Sequence, residues 1–265
     1  MEHDKPIGIF DSGVGGLSVV KNIIKVLPNE NFIYIADSKH FPYGTKSAGE
    51  VRNFALRIIK YLLAQNVKAV IVACNTASSV AIDEIKKSAS PIPVFGMIQA
   101  GAQYAAKTTK NHKICVISTP LTQKQHTYLN EIKKINPSTE VFEVGSQEMI
   151  NLVENGIEHN EFAVNLTKEN LKEPIEKGVD TIVLGSTHLP FLYRTVKSVA
   201  GESISVIDPS DFLIIQVKEF LDNNDLLNRK HPSERLFFTT GNREEFKEKM
   251  KVFLEGTYIP ERLDI

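Results

Sequence analysis

The sequence has no tryptophan, two cysteines and four methionines, and its charges nearly cancel, with 31 Lys+Arg against 32 Asp+Glu. Each shortage excludes something. Two cysteines, Cys74 and Cys115, cannot build a disulfide framework. Neither lies in a Cys-x-x-Cys or Cys/His cluster with metal spacing, so no metal site is expected and either one matters only as a thiol. A formal net charge of −1 gives no pull toward nucleic acid or an anionic membrane, which leaves a small molecule as the expected substrate. No apolar run reaches the roughly 18 residues that would cross a bilayer. The opening MEHDKPIGIF runs straight into a strand pattern, without a charged leader and apolar h-region, so a soluble cytoplasmic protein is expected.

What is present indicates about two domains of ordinary size, since 265 residues with 42% hydrophobic content supply ample cores. Short β-branched runs recur at IGIF (7–10), NFIYIA (31–36), AVIVA (69–73), KICVIS (113–118) and TIVLG (181–185). Apolar residues return every three or four positions over about 51–66, 76–89, 121–135, 161–177 and 211–223, which predicts amphipathic helices there. Continuous apolar strands alternating with helices predict an α/β fold with mainly parallel sheets covered on both faces. Residues 224–265 carry many charges and predict only a strand at 236–240 and a helix at 243–255.

An internal echo sharpens this. VKAVIVACNTA (67–77) aligns without gaps on VDTIVLGSTHL (179–189), and a weaker echo pairs KPIGIFDSG (5–13) with HKICVISTP (112–120). Self-similarity at so long an offset predicts two related α/β units rather than a solenoid.

In parallel sheets ligands collect beyond the carboxyl ends of strands. Four polar clusters fall at such ends: Asp11-Ser12-Gly13-Val14-Gly15-Gly16, then Asp37 followed by Phe41-Pro42-Tyr43-Gly44, then Cys74-Asn75-Thr76, and finally Ser186-Thr187-His188. They predict one shared site. DSGVGG does not spell G-x-G-x-x-G, and its aspartate stands where a pyrophosphate would approach, which argues against a dinucleotide. A tight strand-to-helix turn with glycines at positive φ accounts for the glycines but not for Asp11. Cys74 ends a strand and opens a helix, where N–H dipoles and a neighbouring base are expected to lower a thiol pKa. Cys115 sits mid-strand between Ile114 and Val116 and reads as structural. His188, opposite the Cys74 cluster in the echo, reads as an acid–base group. Lys39 is the lone lysine near one of these strand ends and makes a pyridoxal Schiff base a weak option.

Taken together and in order, GIFDSGVGGLSV, YIADSKHFPYG, VIVACNTAS, LVENG and VLGSTHLPF resemble the glutamate racemase family, from about residue 6 to about residue 212. Related aspartate and hydantoin racemases share a paired-cysteine plan, and the DSGVGG and PYG segments point to the glutamate branch. The resemblance implies a cofactor-independent amino-acid racemase that interconverts L- and D-glutamate by two-base proton transfer at Cα and supplies D-glutamate for peptidoglycan. It makes Cys74 one of two acid–base groups on opposite faces of the substrate. Asp11 would assist Cys74, His188 would assist the second position, and Glu154 matches the acidic residue of the family's LVE segment. Ser12, Tyr43, Gly44, Asn75, Thr76 and Thr187, with Asp11 and His188, would hold the amino and carboxylate groups, with Thr119 and Thr122 as further carboxylate contacts. It also implies a homodimer, no cofactor, and a site in the cleft between two domains, residues 1–98 plus 210–265 and residues 99–209.

One position departs from the pattern. Where the family writes Gly-Cys-Thr-His, this chain writes Gly185-Ser186-Thr187-His188. A serine hydroxyl is a far weaker acid than a thiol, and its alkoxide is essentially unavailable near neutrality, so two-way racemisation should be severely reduced. Serine there fits an active-site variant that holds substrate without turnover. It also fits a natural relative in which His188 or water supplies the proton, or a binding protein with two α/β halves around a cleft.

Overall fold

The computed structural model describes residues 2–229, 233–254 and 256–265. In chain order its elements are β1 (Ile7–Asp11), α1 (Leu17–Val26), β2 (Phe32–Ala36), α2 (Ala48–Ala64), β3 (Ala69–Val72), α3 (Asn75–Ala89), β4 (Val94–Gly96) and α4 (Met97–Thr108). There follow β5 (Lys113–Ser118), α5 (Pro120–Lys124), α6 (Thr127–Ile135), β6 (Glu140–Gly145), α7 (Gln147–Glu154), α8 (Glu161–Glu176) and β7 (Thr181–Gly185). The chain closes with α9 (Tyr193–Ala200), β8 (Ser205–Ile207), α10 (Pro209–Asn223), β9 (Arg235–Thr239), α11 (Arg243–Phe253) and β10 (Glu261–Arg262).

The strands form two wholly parallel sheets, six in the order β10-β9-β2-β1-β3-β4 and four in the order β6-β5-β7-β8. Every residue of β1, β2, β3 and β7 is buried, which is why each reads as an unbroken apolar run: a central parallel strand has helices on both faces. The two sheets share one plan. β2-β1-β3-β4 matches β6-β5-β7-β8 strand for strand, so β3 corresponds to β7 and β1 to β5. These are the pairs joined by the two sequence echoes. β9 and β10 extend the first sheet alone, and their pairing returns the C-terminal region to it.

Helices α4 and α10 hold the halves together. Met97 and Ala100 of α4 pack with Leu213, Ile214 and Val217 of α10 in the core under β1 and β2. On another face of α4, Ile98, Ala102 and Ala105 cover Ile114, Val116 and Val183 of the second sheet. α2 begins three residues earlier than its apolar period predicts, because Ser47 and Glu50 form a reciprocal capping box. The stretch 121–135 is two helices rather than one, broken where His126 adopts φ 50°. α11 ends at Phe253, and position 255 of the predicted helix lies outside the described residues.

Candidate active site

The carboxyl ends of β1, β2, β3, β5 and β7 converge on one cavity of about 290 Å³. Ser12, Tyr43, Gly44, Cys74, Asn75, Thr76, Ser186, Thr187 and His188 all line it, together with Thr119. Cys74 and Ser186 therefore share a single chamber, each just beyond the end of an equivalent strand. Three site residues expected from the sequence stand behind the wall: Asp11 lies beneath the β1 loop, Glu154 behind His188 and Thr122 behind Thr119. Cys115 is wholly buried in β5 among apolar side chains, as its sequence context predicts.

The glycines of DSGVGG serve close approach. None of Gly13, Gly15 and Gly16 is among the positive-φ residues, which corrects the expectation of a left-handed turn. A Cβ on Gly15 would lie 2.4 Å from His188 Nδ1 and 2.5 Å from Thr187 Oγ1, and one on Gly16 would lie 2.5 Å from the Tyr34 hydroxyl. The loop is pressed against the end of β7 and pinned by Ser18 Oγ, which bonds both Gly15 O and Thr187 O at 2.9 Å. Protein atoms occupy the space a pyrophosphate would need, so the loop is not a dinucleotide cradle. Lys39 lines a different, open cavity beside Arg243, which removes it from the chemistry.

On one flank, Cys74 caps α3, its Sγ accepting the Ala77 N–H at 3.4 Å and donating to Ser12 Oγ at 3.8 Å. Burial, reinforced by the negative field of Asp11, pushes the thiol up to about 12, and the Ala77 and Ser12 hydrogen bonds do not offset it. This reverses the expectation of a lowered pKa, since burial and the field of Asp11 favour the neutral thiol. Next to it a chain of hydroxyls joins Thr76, Thr119 and Thr122, with 2.9 Å between successive oxygens.

On the other flank the partners are charged. Asp11 is fully buried, with Oδ1 accepting the Gly13 N–H at 3.0 Å and Oδ2 the Thr187 hydroxyl at 3.1 Å. Burial raises its pKa against the opposing pull of His188 and these hydrogen bonds. His188 Nε2 lies 2.7 Å from Glu154 Oε1, and Glu154 Oε2 lies 2.7 Å from Lys249 Nζ. Burial alone would raise the Glu154 carboxyl, but His188 and Lys249 outweigh it and hold it at about 2.

The substrate-facing wall carries uncommitted polar atoms. Asn75 accepts the Tyr128 hydroxyl at 2.7 Å, while its Nδ2 is buried with no hydrogen-bond partner among the described residues, and so is Gln147 Oε1. Each such atom costs about 1–3 kcal/mol unless something pairs with it, and Asn75 and Gln147 both line the cavity. Tyr43 gives its hydroxyl to Asp37 at 2.5 Å, and Asp37 also accepts from Thr240 at 2.6 Å, so the segment carrying Gly44 is anchored to the end of β9.

A family model described as Asp/Glu/Hydantoin racemase matches residues 7–217. This chain belongs to that racemase family. Among curated members it is 39% identical over 250 residues to a glutamate racemase of Thermoanaerobacter sp. (strain X514), covering 94% of this chain and 93% of that one. Among solved structures it is similar to a glutamate racemase isoform from Bacillus anthracis, with TM-score 0.95, 32% identity and 98% of each chain covered. A glutamate racemase from Francisella tularensis, solved in complex with D-glutamate, superposes with TM-score 0.93 at 33% identity, covering 99% of this chain and 98% of that one.

Gln147 and Ile150 line this racemase-family cavity without having been predicted from the sequence. The rule that finds the other site residues, polar side chains just past a strand, would find Gln147 too, since it follows β6 by two positions. β6 itself went unread because Glu140 and Glu143 interrupt its apolar run. Lys249 is remote in sequence from every motif, and only the return of α11 to the first sheet brings it behind His188.

Proposed function

We propose that the chain is a cofactor-independent glutamate racemase whose proton transfer is impaired by serine at position 186. The observation that carries this reading is the shared chamber: Cys74 and Ser186 line one cavity from equivalent strand ends. A substrate Cα held between them meets one group on each face. An amino-acid α-proton is very weakly acidic, so its removal and return need a pocket whose dipoles are already oriented toward the charge that develops at Cα.

In this reading the substrate ammonium supplies the positive charge that the Cys74 thiol lacks at rest, with Asp11 behind it. Asn75 Nδ2 donates to the substrate carboxylate, with the Thr76, Thr119 and Thr122 hydroxyls nearby, and Gln147 Oε1 accepts from the ammonium. Ser12, Tyr43, Gly44 and Thr187 complete the grip. Ser186 keeps the shape of the second acid–base position, while His188, oriented by Glu154, assists it. The same reading places D-glutamate supply for peptidoglycan in the cytoplasm and takes the protein as a homodimer. It divides the chain into residues 1–98 plus 210–265 and residues 99–209, a boundary supported by the addition of β9 and β10 to the first sheet.

Racemisation followed by circular dichroism, for this chain beside Ser186→Cys, tests the reading with both enantiomers of glutamate and of aspartate. Restoring the thiol is expected to raise glutamate turnover by about 10²–10⁴, the range that a positioned acid–base group contributes. Equal turnover of the two proteins would mean that His188 or water delivers the second proton. No turnover in either would end the racemase reading.

A further inference from the structure

We propose that Lys249, on the C-terminal helix α11, is a positioning residue for His188, acting through the Glu154 carboxylate that the two share. The proposal rests on reading His188 as the acid–base assistant of the second catalytic position. Three elements meet in one line: Lys249 Nζ reaches Glu154 Oε2 of α7 at 2.7 Å, and Glu154 Oε1 reaches His188 Nε2, just past β7, at 2.7 Å. The carboxylate is divided, one oxygen to each partner. Its side chain is 13% exposed and that of His188 is 3%, so solvent screens the inner contact little.

The geometry assigns each end a task. With Nε2 committed to Glu154, the imidazole ring is fixed in orientation and its Nδ1 is directed at the Gly15 loop, where an added Cβ would lie 2.4 Å away. Phe41 covers the ring, with centroids 5.6 Å apart. The titratable groups around His188 are Glu154 from α7 and Asp11 from β1, with Cys74 past β3 lining the same cavity, Tyr34 of β2 beyond Asp11, and Lys249 and Glu245 of α11 behind Glu154. Glu245 stands 3.5 Å from Lys249 and on its outer side. Lys249 is thus the cation nearest to Glu154 apart from His188 itself. A carboxylate without it would hold the imidazole protonated to higher pH, and an absent carboxylate would release that proton. Lys249 shares the carboxylate with His188 from the segment that joins the first sheet rather than from the half that carries His188.

The test is an NMR titration of the His188 ring in the chain as it stands, assigned with His188→Asn. Lys249→Met is expected to raise the His188 midpoint by roughly half to one pH unit, Glu154→Gln to lower it by at least as much, and Lys249→Arg to leave it nearly in place. On the Ser186→Cys background, Lys249→Met is expected to move the matching limb of the kcat profile in the same direction, with KM little changed. A His188 midpoint that Lys249→Met leaves in place, while Glu154→Gln moves it, overturns the proposal and leaves Lys249 as an ordinary surface ion pair. The titration needs no turnover. If Ser186→Cys does not racemise glutamate, the functional reading falls, while the link from Lys249 to His188 is still judged by its own midpoint.

Discussion

The two flanks of the chamber stand on the same scaffold and differ in almost everything electrostatic. Position 74 follows β3 and position 186 follows β7, and the strand orders around them match. Yet the Cys74 flank is built of neutral groups, the Ser12 hydroxyl, the Ala77 N–H and the Thr76–Thr119–Thr122 chain. The Ser186 flank is built of charges, with Asp11 on Thr187 and Glu154 and Lys249 on His188. The matching strand orders set the positions of residues 74 and 186, and the neighbours of each set the charge around it. Asp11 belongs to both sides, since its field raises the Cys74 thiol while its hydrogen bond reaches Thr187.

The comparison is sharpened most by isotope exchange. With a thiol at position 74 only, this chain is expected in deuterium oxide to exchange the α-proton of one glutamate enantiomer at least about 100-fold faster than that of the other, followed by proton NMR. Comparable exchange into both would break the assignment of flanks. Next in size is Gly15→Ala, whose methyl would enter the space of His188 and Thr187. A loss of about 1–3 kcal/mol in urea melts is expected, with activity lost on the Ser186→Cys background. Gly49→Ala in the first turn of α2, where an added Cβ meets nothing within 4 Å, serves as its control and should leave stability equal or higher.

Acid titration probes the charged flank by itself. Glu154 in the folded protein sits at about 2, below its usual 4.5, so the stability it contributes is fully present above pH 4.5 and is lost as pH falls toward 2. Glu154→Gln should flatten that part of the stability curve by about 2 kcal/mol, read from denaturant melts between pH 6 and pH 3. The smallest effect belongs to the neutral flank. Thr119→Val keeps the shape but leaves Thr76 and Thr122 without their shared partner, at about 1 kcal/mol and with a raised KM on the Ser186→Cys background.

The central strands and the cavity-lining residues past β1, β2, β3 and β7 were legible in the sequence for one reason. A strand buried on both faces has no polar interruptions, so the first polar side chains after it stand out. Where burial is partial the signal fades. β6 carries glutamates on an edge, β4 and β8 have three residues each, and α4 is rich in alanine and glycine, so their patterns resemble connecting segments. The direction of the Cys74 shift was misjudged because position at a helix N-terminus is visible in sequence, whereas the depth of burial that outweighs it is not. Lys249 shows the same limit at longer range: an ion pair between residues 95 positions apart exists only after the chain has come back on itself.

The matching strand orders have one more consequence. Enantiomers in water have equal free energy, so a catalyst that interconverts them has no downhill direction and must be equally competent from either hand. A doubled framework meets that demand by offering one chemical station per hand. Because transfer from either hand would use both stations, exchanging sulfur for oxygen at one of them would slow both directions alike while leaving the framework standing. What such a molecule would keep is the grip on either hand without the conversion between them.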